Sequence, residues 1–175
     1  SSASFTAPSG TLTIDNKVGD YAYDNDGTFV HSSGTMSITT SGTSRIDSNG
    51  TSGNINNLTY NSSGNTLETH TATTLDGNLT ITAGTLTTAP GATDFDLTVT
   101  GQVSVTGTLT CNESVVNIGS LYIASAGVVN ATNQTTTINL ETTATAVGFA
   151  LYNEGTFHHN NGLVYIGTNT NTLVY

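Results

Sequence analysis

Positive charge is the scarcest property of this chain: Lys17 and Arg45 are the whole of its Lys and Arg among 175 residues, against 12 Asp and Glu. The formal net charge is -10 and the pI is near 4.2. A groove that neutralises phosphates needs clustered cations, so the composition argues against nucleic-acid binding. Attraction to anionic membrane surfaces fails for the same reason. Cysteine is nearly missing as well. Cys111 stands alone, so no disulfide can close within the chain and no cysteine-based zinc site exists; it reads as a small buried hydrophobe. No apolar run approaches the roughly 20 residues of a spanning helix, so no membrane insertion is expected. There is no signal-peptide pattern and no initiating Met, which makes Ser1 either a processed end or the start of an excerpt.

Only 8% of the residues are charged, and polarity comes instead from Thr, Ser, Asn and 19 Gly. Disordered chains combine high net charge with few β-branched and aromatic residues, whereas this one is full of Thr, Val, Ile and Tyr. A folded, all-β chain follows. Leu75 to Cys111 gives the clearest sample, LDGNLTITAGTLTTAPGATDFDLTVTGQVSVTGTLTC. Apolar residues alternate with Thr, Ser or Gln in short runs, each followed by a Gly, which is a strand signal of period two broken by turns. Similar nuclei occur at Leu12 to Ile14, Met36 to Ile38, Ile55 to Tyr60, Leu67, Ile118 to Ile123, and Ile138 with Leu140. Asn-Gly, Ser-Gly and Gly-Asn pairs mark turns between them, because these residues tolerate positive φ.

Repetition decides the architecture. Strands too short to bury an apolar face alone become stable when successive coils of one chain stack into a continuous inner column. The reading is a right-handed parallel β-helix, or β-solenoid, of short Thr/Asn/Gly-rich coils, with a β-sandwich as the alternative. In a solenoid Leu79 and Ile81 point inward while Thr80 and Thr82 face water. The steps from Leu79 to Leu97 and from Leu97 to Ile118 each fit one coil with loops of variable length. A longer period encloses the short one: YAYDNDGTF at Tyr21 to Phe29 returns as FALYNEGTF at Phe149 to Phe157, and HSSG at 31–34 returns as HNNG at 159–162, both 128 residues later. Residues 1–175 are therefore taken as one repetitive domain, with a second copy of the long unit beginning near residue 145. Stacked coils expose strand edges at their ends, and the chain runs to Leu173, Val174 and Tyr175 without a polar cap. This predicts a segment of a longer polypeptide, or end-to-end docking with another subunit.

Candidate chemical sites are few. Asp24, Asn25, Asp26 and Gly27 resemble the middle of a calcium loop, but Ala22 and Ser33 stand where ligands belong, so an Asp-rich turn is favoured. His31, His158 and His159 recur beside the GTF motif while His70 stands apart, and no convergent metal set results. Asp94 and Asp96 lie two apart, a separation compatible with paired glycosidase carboxylates, yet no second pattern converges on them. No nucleophile motif or phosphate-cradling loop occurs. No catalytic residue, cofactor or metal is assigned. Tyr21, Tyr23, Phe29, His31, Phe149, Phe157, His158 and His159, which break the regular pattern, are the candidates for partner contacts.

The phrases SGTLTI, DGTFVHSSGTMSI, NNLTYNSSGNT, GNLTITAGTLTT, LTVTGQVSVTGTLT and EGTFHHNNGLVYIG resemble repeats of large phage structural proteins, especially fibre-like proteins of marine phages. They are also similar to repeats of haemagglutinin-type bacterial adhesins. The resemblance covers nearly the whole chain and carries over no catalytic residue. It implies an extended, β-helical, extracellular structural protein: a virion fibre or capsid-attached appendage, whose partners are its own copies or other virion proteins. A cell-surface adhesin or filament subunit is the alternative. A polysaccharide-cleaving or glycan-binding spike, with cell-surface glycans as partner, is the second.

Overall fold

The computed structural model describes residues 3–17, 19–48, 53–88, 90, 93–139 and 149–167. Among them there is no helix, and 17 strands follow one another along the chain. The first six are β1 (Ser4–Thr6), β2 (Thr11–Ile14), β3 (Tyr21–Asp24), β4 (Thr28–Val30), β5 (Thr35–Ile38) and β6 (Thr43–Asp47). The middle of the molecule contains β7 (Asn57–Thr69), β8 (Thr73–Leu75), β9 (Leu79–Thr87), β10 (Leu97–Val105), β11 (Thr108–Thr110) and β12 (Val116–Ile123). The last five are β13 (Val128–Asn130), β14 (Thr135–Asn139), β15 (Leu151–Asn153), β16 (Thr156–His158) and β17 (Leu163–Gly167).

Every ladder between these strands is parallel, and partners lie one coil apart in the chain, so the architecture is a right-handed parallel β-helix of about six turns. The sandwich alternative falls, since its sheets are antiparallel. Each turn crosses three faces. The first face stacks β2, β5, the start of β7, the start of β9, the end of β10, the end of β12, and β15. The second stacks β3, β6, the end of β7, the end of β9, β11, β13 and β16. On the third, β8, the start of β10, the start of β12, β14 and β17 are continuous, and β1 pairs with β4 near the N-terminal end.

Alternation along each strand fills the interior. On the first face Met36, Leu58, Leu79, Val103 and Leu121 lie in register and are buried, as are Ile38, Tyr60, Ile81, Val105 and Ile123. Leu67, Leu86, Leu109 and Val129 do the same on the second face, and Leu75, Val99, Ile118 and Ile138 on the third. Each such side chain contributes about 1.5–3 kcal/mol of burial, and stacking identical positions lets one turn shield the next. Leu79 and Ile81 point inward as the alternation requires, with Thr82 exposed. The coil spacing needs correction. Leu79 stacks between Leu58 and Val103, whereas Leu97 belongs to the third face, between Thr73 and Val116. Eighteen residues carry the chain round two corners, short of a full turn.

The corners explain the glycines. At Gly84, φ is +86° and a Cβ would collide with the Ser62 carbonyl of the turn below; at Gly107 a Cβ would collide in turn with the Gly84 carbonyl. Backbone runs directly over backbone there, and only a residue without a side chain fits. At another corner asparagines bind across turns: Asn57 Oδ1 accepts from Asn78 N and Asn78 Oδ1 accepts from Gln102 N, both at 2.8 Å. A third device is a tight turn in which an amide donates to the carbonyl three residues back, seen at His31–Gly34, Cys111–Ser114, Ala124–Gly127 and His159–Gly162.

The long repeat is visible in the pairing. Ser4, Phe5 and Thr6 pair with Thr28, Phe29 and Val30, and Val128, Val129 and Asn130 pair with Thr156, Phe157 and His158. Thr11 opposite Thr35 likewise corresponds to Thr135 opposite Leu163. The earlier strands match at an offset of 124 (128 − 4) and the later ones at 128 (156 − 28). The two copies sit on different faces: β3, β4 and β5 occupy the second, third and first, and β15, β16 and β17 the first, second and third. Residue 145 and the Leu173–Tyr175 end lie outside the described residues.

Candidate functional site

The aromatic and histidine positions singled out in the sequence do not form one site. Those of the first copy lie near the N-terminal end of the solenoid and those of the second near the other end. Phe29 is 4% exposed, stacked on Phe5 at 6.0 Å and met edge-on by Tyr23 at 5.4 Å. Phe29 belongs to the core with Tyr23 packed against it, while Phe5 covers it from the exposed side, so Phe29 is no surface contact. Tyr23 is half-buried with its hydroxyl inside, and burial pushes the phenol pKa up. Phe157 packs against the other end of the core. Phe149 rests on Tyr152 at 5.3 Å. His158 is exposed, in register with Asn130.

The recurring histidines are turn formers. The Nδ1 of His31 accepts from Ser33 N at 2.8 Å, and that of His159 accepts from Asn161 N at 3.1 Å. The two residues after each histidine adopt positive φ, Ser32 and Ser33 in one copy and Asn160 and Asn161 in the other. His31 Nε2 also lies 3.4 Å from Asp76 Oδ2 of a later turn. The Asp-rich segment behaves in the same way. Asn25 Oδ1 accepts from Gly27 N at 3.2 Å, and Asn153 Oδ1 from Gly155 N at 3.0 Å, so both copies carry one side-chain-closed turn. Among the described residues no group of three or more His, Cys, Asp or Glu is placed to hold a metal ion. Asp96 Oδ1 caps the Val115 amide at 3.0 Å, and Asp94 is exposed in the preceding loop.

A constellation on the second face is different in kind. The outward residues Tyr21, Arg45 and Glu68 occupy equivalent positions on three successive turns. Arg45 donates from Nη1 to Asp20 Oδ2 at 2.9 Å and from Nε to Glu68 Oε2 at 3.2 Å. His70 Nε2 lies 3.4 Å from the same Glu68 oxygen. The His70 ring is met edge-on by Tyr21 at 6.0 Å and stacked by Phe95 at 6.1 Å with a 28° interplanar angle. Rings thus stand on both sides of the imidazole that meets the Glu68 carboxylate. Further along, this row continues with the small or slender residues Thr87, Thr110 and Asn130. Four of the six members, Asp20, Arg45, Glu68 and Phe95, escape a reading of the sequence because successive ones stand 23 to 27 residues apart, and His70 stands alone in it. The signal that finds them is the coil length itself, since Tyr21, Arg45 and Glu68 are separated by one coil each.

A second exposed group lies on the first face. Tyr122 and Tyr152 are in register with ring centres 5.6 Å apart, and both hydroxyls donate to Glu154, at 2.9 and 3.1 Å. The bond to Glu154, which serves the protonated phenol, raises the Tyr122 pKa. No family model matches the chain, and no curated protein or solved structure matches it.

Proposed function

We propose that this chain is a structural element of an extended fibre or appendage of a virion, displayed outside the cell, with its own copies and other particle proteins as partners. The observation that supports this reading is the unbroken parallel ladder. Seven strands stack on the first face over one inner column, and the first coil's pairing returns in the last. A solenoid of this kind lengthens by adding coils without changing its cross-section, which is what a stiff rod requires. The role needs no reaction. Asp96 serves a backbone amide, and the recurring histidines close corners. The acidic surface keeps a β-rich rod dispersed.

Gold-labelled antibody against this chain, applied to purified particles of its source virus and viewed by electron microscopy, tests the proposal. Labelling along or at the end of a projecting appendage is expected. Particles that lack the polypeptide overturn it.

A further inference from the structure

We propose that the constellation of Asp20, Tyr21, Arg45, Glu68, His70 and Phe95 is a binding site for a neutral saccharide. This goes beyond the rod role, which needs no ligand. The internal contacts of the cluster use only part of its hydrogen-bonding capacity. Glu68 makes both of its contacts through Oε2, Arg45 uses Nη1 and Nε, and Asp20 uses Oδ2. Among the described residues, Glu68 Oε1, Arg45 Nη2 and Asp20 Oδ1 have no partner in the protein. Acceptors and a donor are left side by side, held in place by the pairs they already make. That is the set a vicinal diol takes up, with one hydroxyl donating to a carboxylate and its neighbour accepting from the guanidinium.

The rings supply the second half of sugar recognition. Aromatic faces carry negative potential, and the C–H bonds on one side of a pyranose are weakly positive, so the two stack. Tyr21 and Phe95 flank His70 along the solenoid axis, spanning turns about 4.8 Å apart and giving the cluster the length of a short oligosaccharide. Half-buried Phe95 belongs to the long loop before β10 and brings an aromatic ring to a face whose other outward positions are mostly Thr. Charge selects the class of sugar. Two carboxylates, Asp20 and Glu68, outnumber one guanidinium in a chain of net charge -10. Sialylated, sulfated and uronic-acid glycans are repelled, and uncharged hexoses and N-acetylhexosamines are accepted.

The test is saturation-transfer NMR on the full chain with the methyl glycosides of glucose, galactose, mannose and N-acetylglucosamine, followed by an array of neutral and acidic oligosaccharides. At least one neutral glycoside should bind, and Arg45→Gln and Phe95→Ala should each weaken it about tenfold, equivalent to 1.4 kcal/mol. Thr110→Ala, farther along the same face, should leave affinity unchanged. Arg45→Gln removes one exposed and one half-buried ion pair and leaves the inner column intact, so its melting temperature, measured beside its affinity, separates lost binding from lost fold. Absence of neutral binding at millimolar sugar, binding of acidic glycans alone, or affinity retained in both variants overturns the proposal. None of these outcomes bears on particle labelling, so failure of the site and failure of the rod reading are distinguishable.

Discussion

Cys111 shows how much a single residue owes to its place in the stack. It is buried, its amide donates to Asn130 O, and its carbonyl accepts from buried Thr88 Oγ1 at 3.1 Å. Burial pushes its thiol up to about 12. Because the folded pKa lies above that of an unfolded thiol, the thiol's contribution to stability is complete below about pH 8.5 and disappears as pH rises toward the folded value. Melting temperature should therefore fall on the alkaline side. Cys111→Ala should remove the thiol part of that slope and leave the part due to Tyr23 and Tyr60, whose phenols are also raised by burial. A disulfide reagent at pH 8 should label the native thiol only at the rate of unfolding, since the thiolate is the nucleophile; immediate labelling would contradict the buried placement. The sequence supported a buried Cys111 from residue type alone. It misjudged Phe29, because an aromatic in a GTF motif looks the same whether its strand faces the core or the solvent.

At the scale of the element, the corner is the unit that repeats. Corners between three faces are near equivalents, so one short turn sequence serves any of them. His31–Gly34 joins the third face to the first, and His159–Gly162 joins the second to the third, with the same backbone bond. This is why the 128-residue repeat can return rotated by one face: the sequence specifies strand, turn and strand, and coil lengths determine where they land. Glycines at corners are not equivalent in cost. Gly107→Ala places a methyl against the backbone of the turn below and should cost about 1–3 kcal/mol. Gly10→Ala meets no atom within 4 Å and should be neutral or stabilise by up to about 1 kcal/mol through the unfolded chain. Urea unfolding of the two variants checks both, and equal effects would refute the steric account. Gly and Asn after short apolar runs made these turns legible, but not which of them stack.

For the whole molecule, stability is a sum of neighbouring turns, and the middle turns have two neighbours each. Leu79 is completely buried between Leu58 and Val103, whereas Leu12, near the N-terminal end, is half-buried over Met36. Leu79→Ala should cost about 2–5 kcal/mol and Leu12→Ala clearly less. Hydrogen exchange should protect β7, β9 and β10 more than β2 and β17, and uniform protection would contradict the additive picture. Alternation, β-branched residues, frequent Gly and internal repetition determined from sequence alone that the chain is all-β, that Leu79 and Ile81 face inward, and that coils stack. These properties depend on neighbours in the chain, so they are written locally. Tertiary structure alone decided the register: that Leu79 lies on Leu58 with Leu97 two corners away, that Phe29 is core, and that Arg45 meets Asp20, Glu68 and their aromatic neighbours. Coil length sets all of these, and it varies from turn to turn with corner loops whose sequences are too permissive to measure in advance.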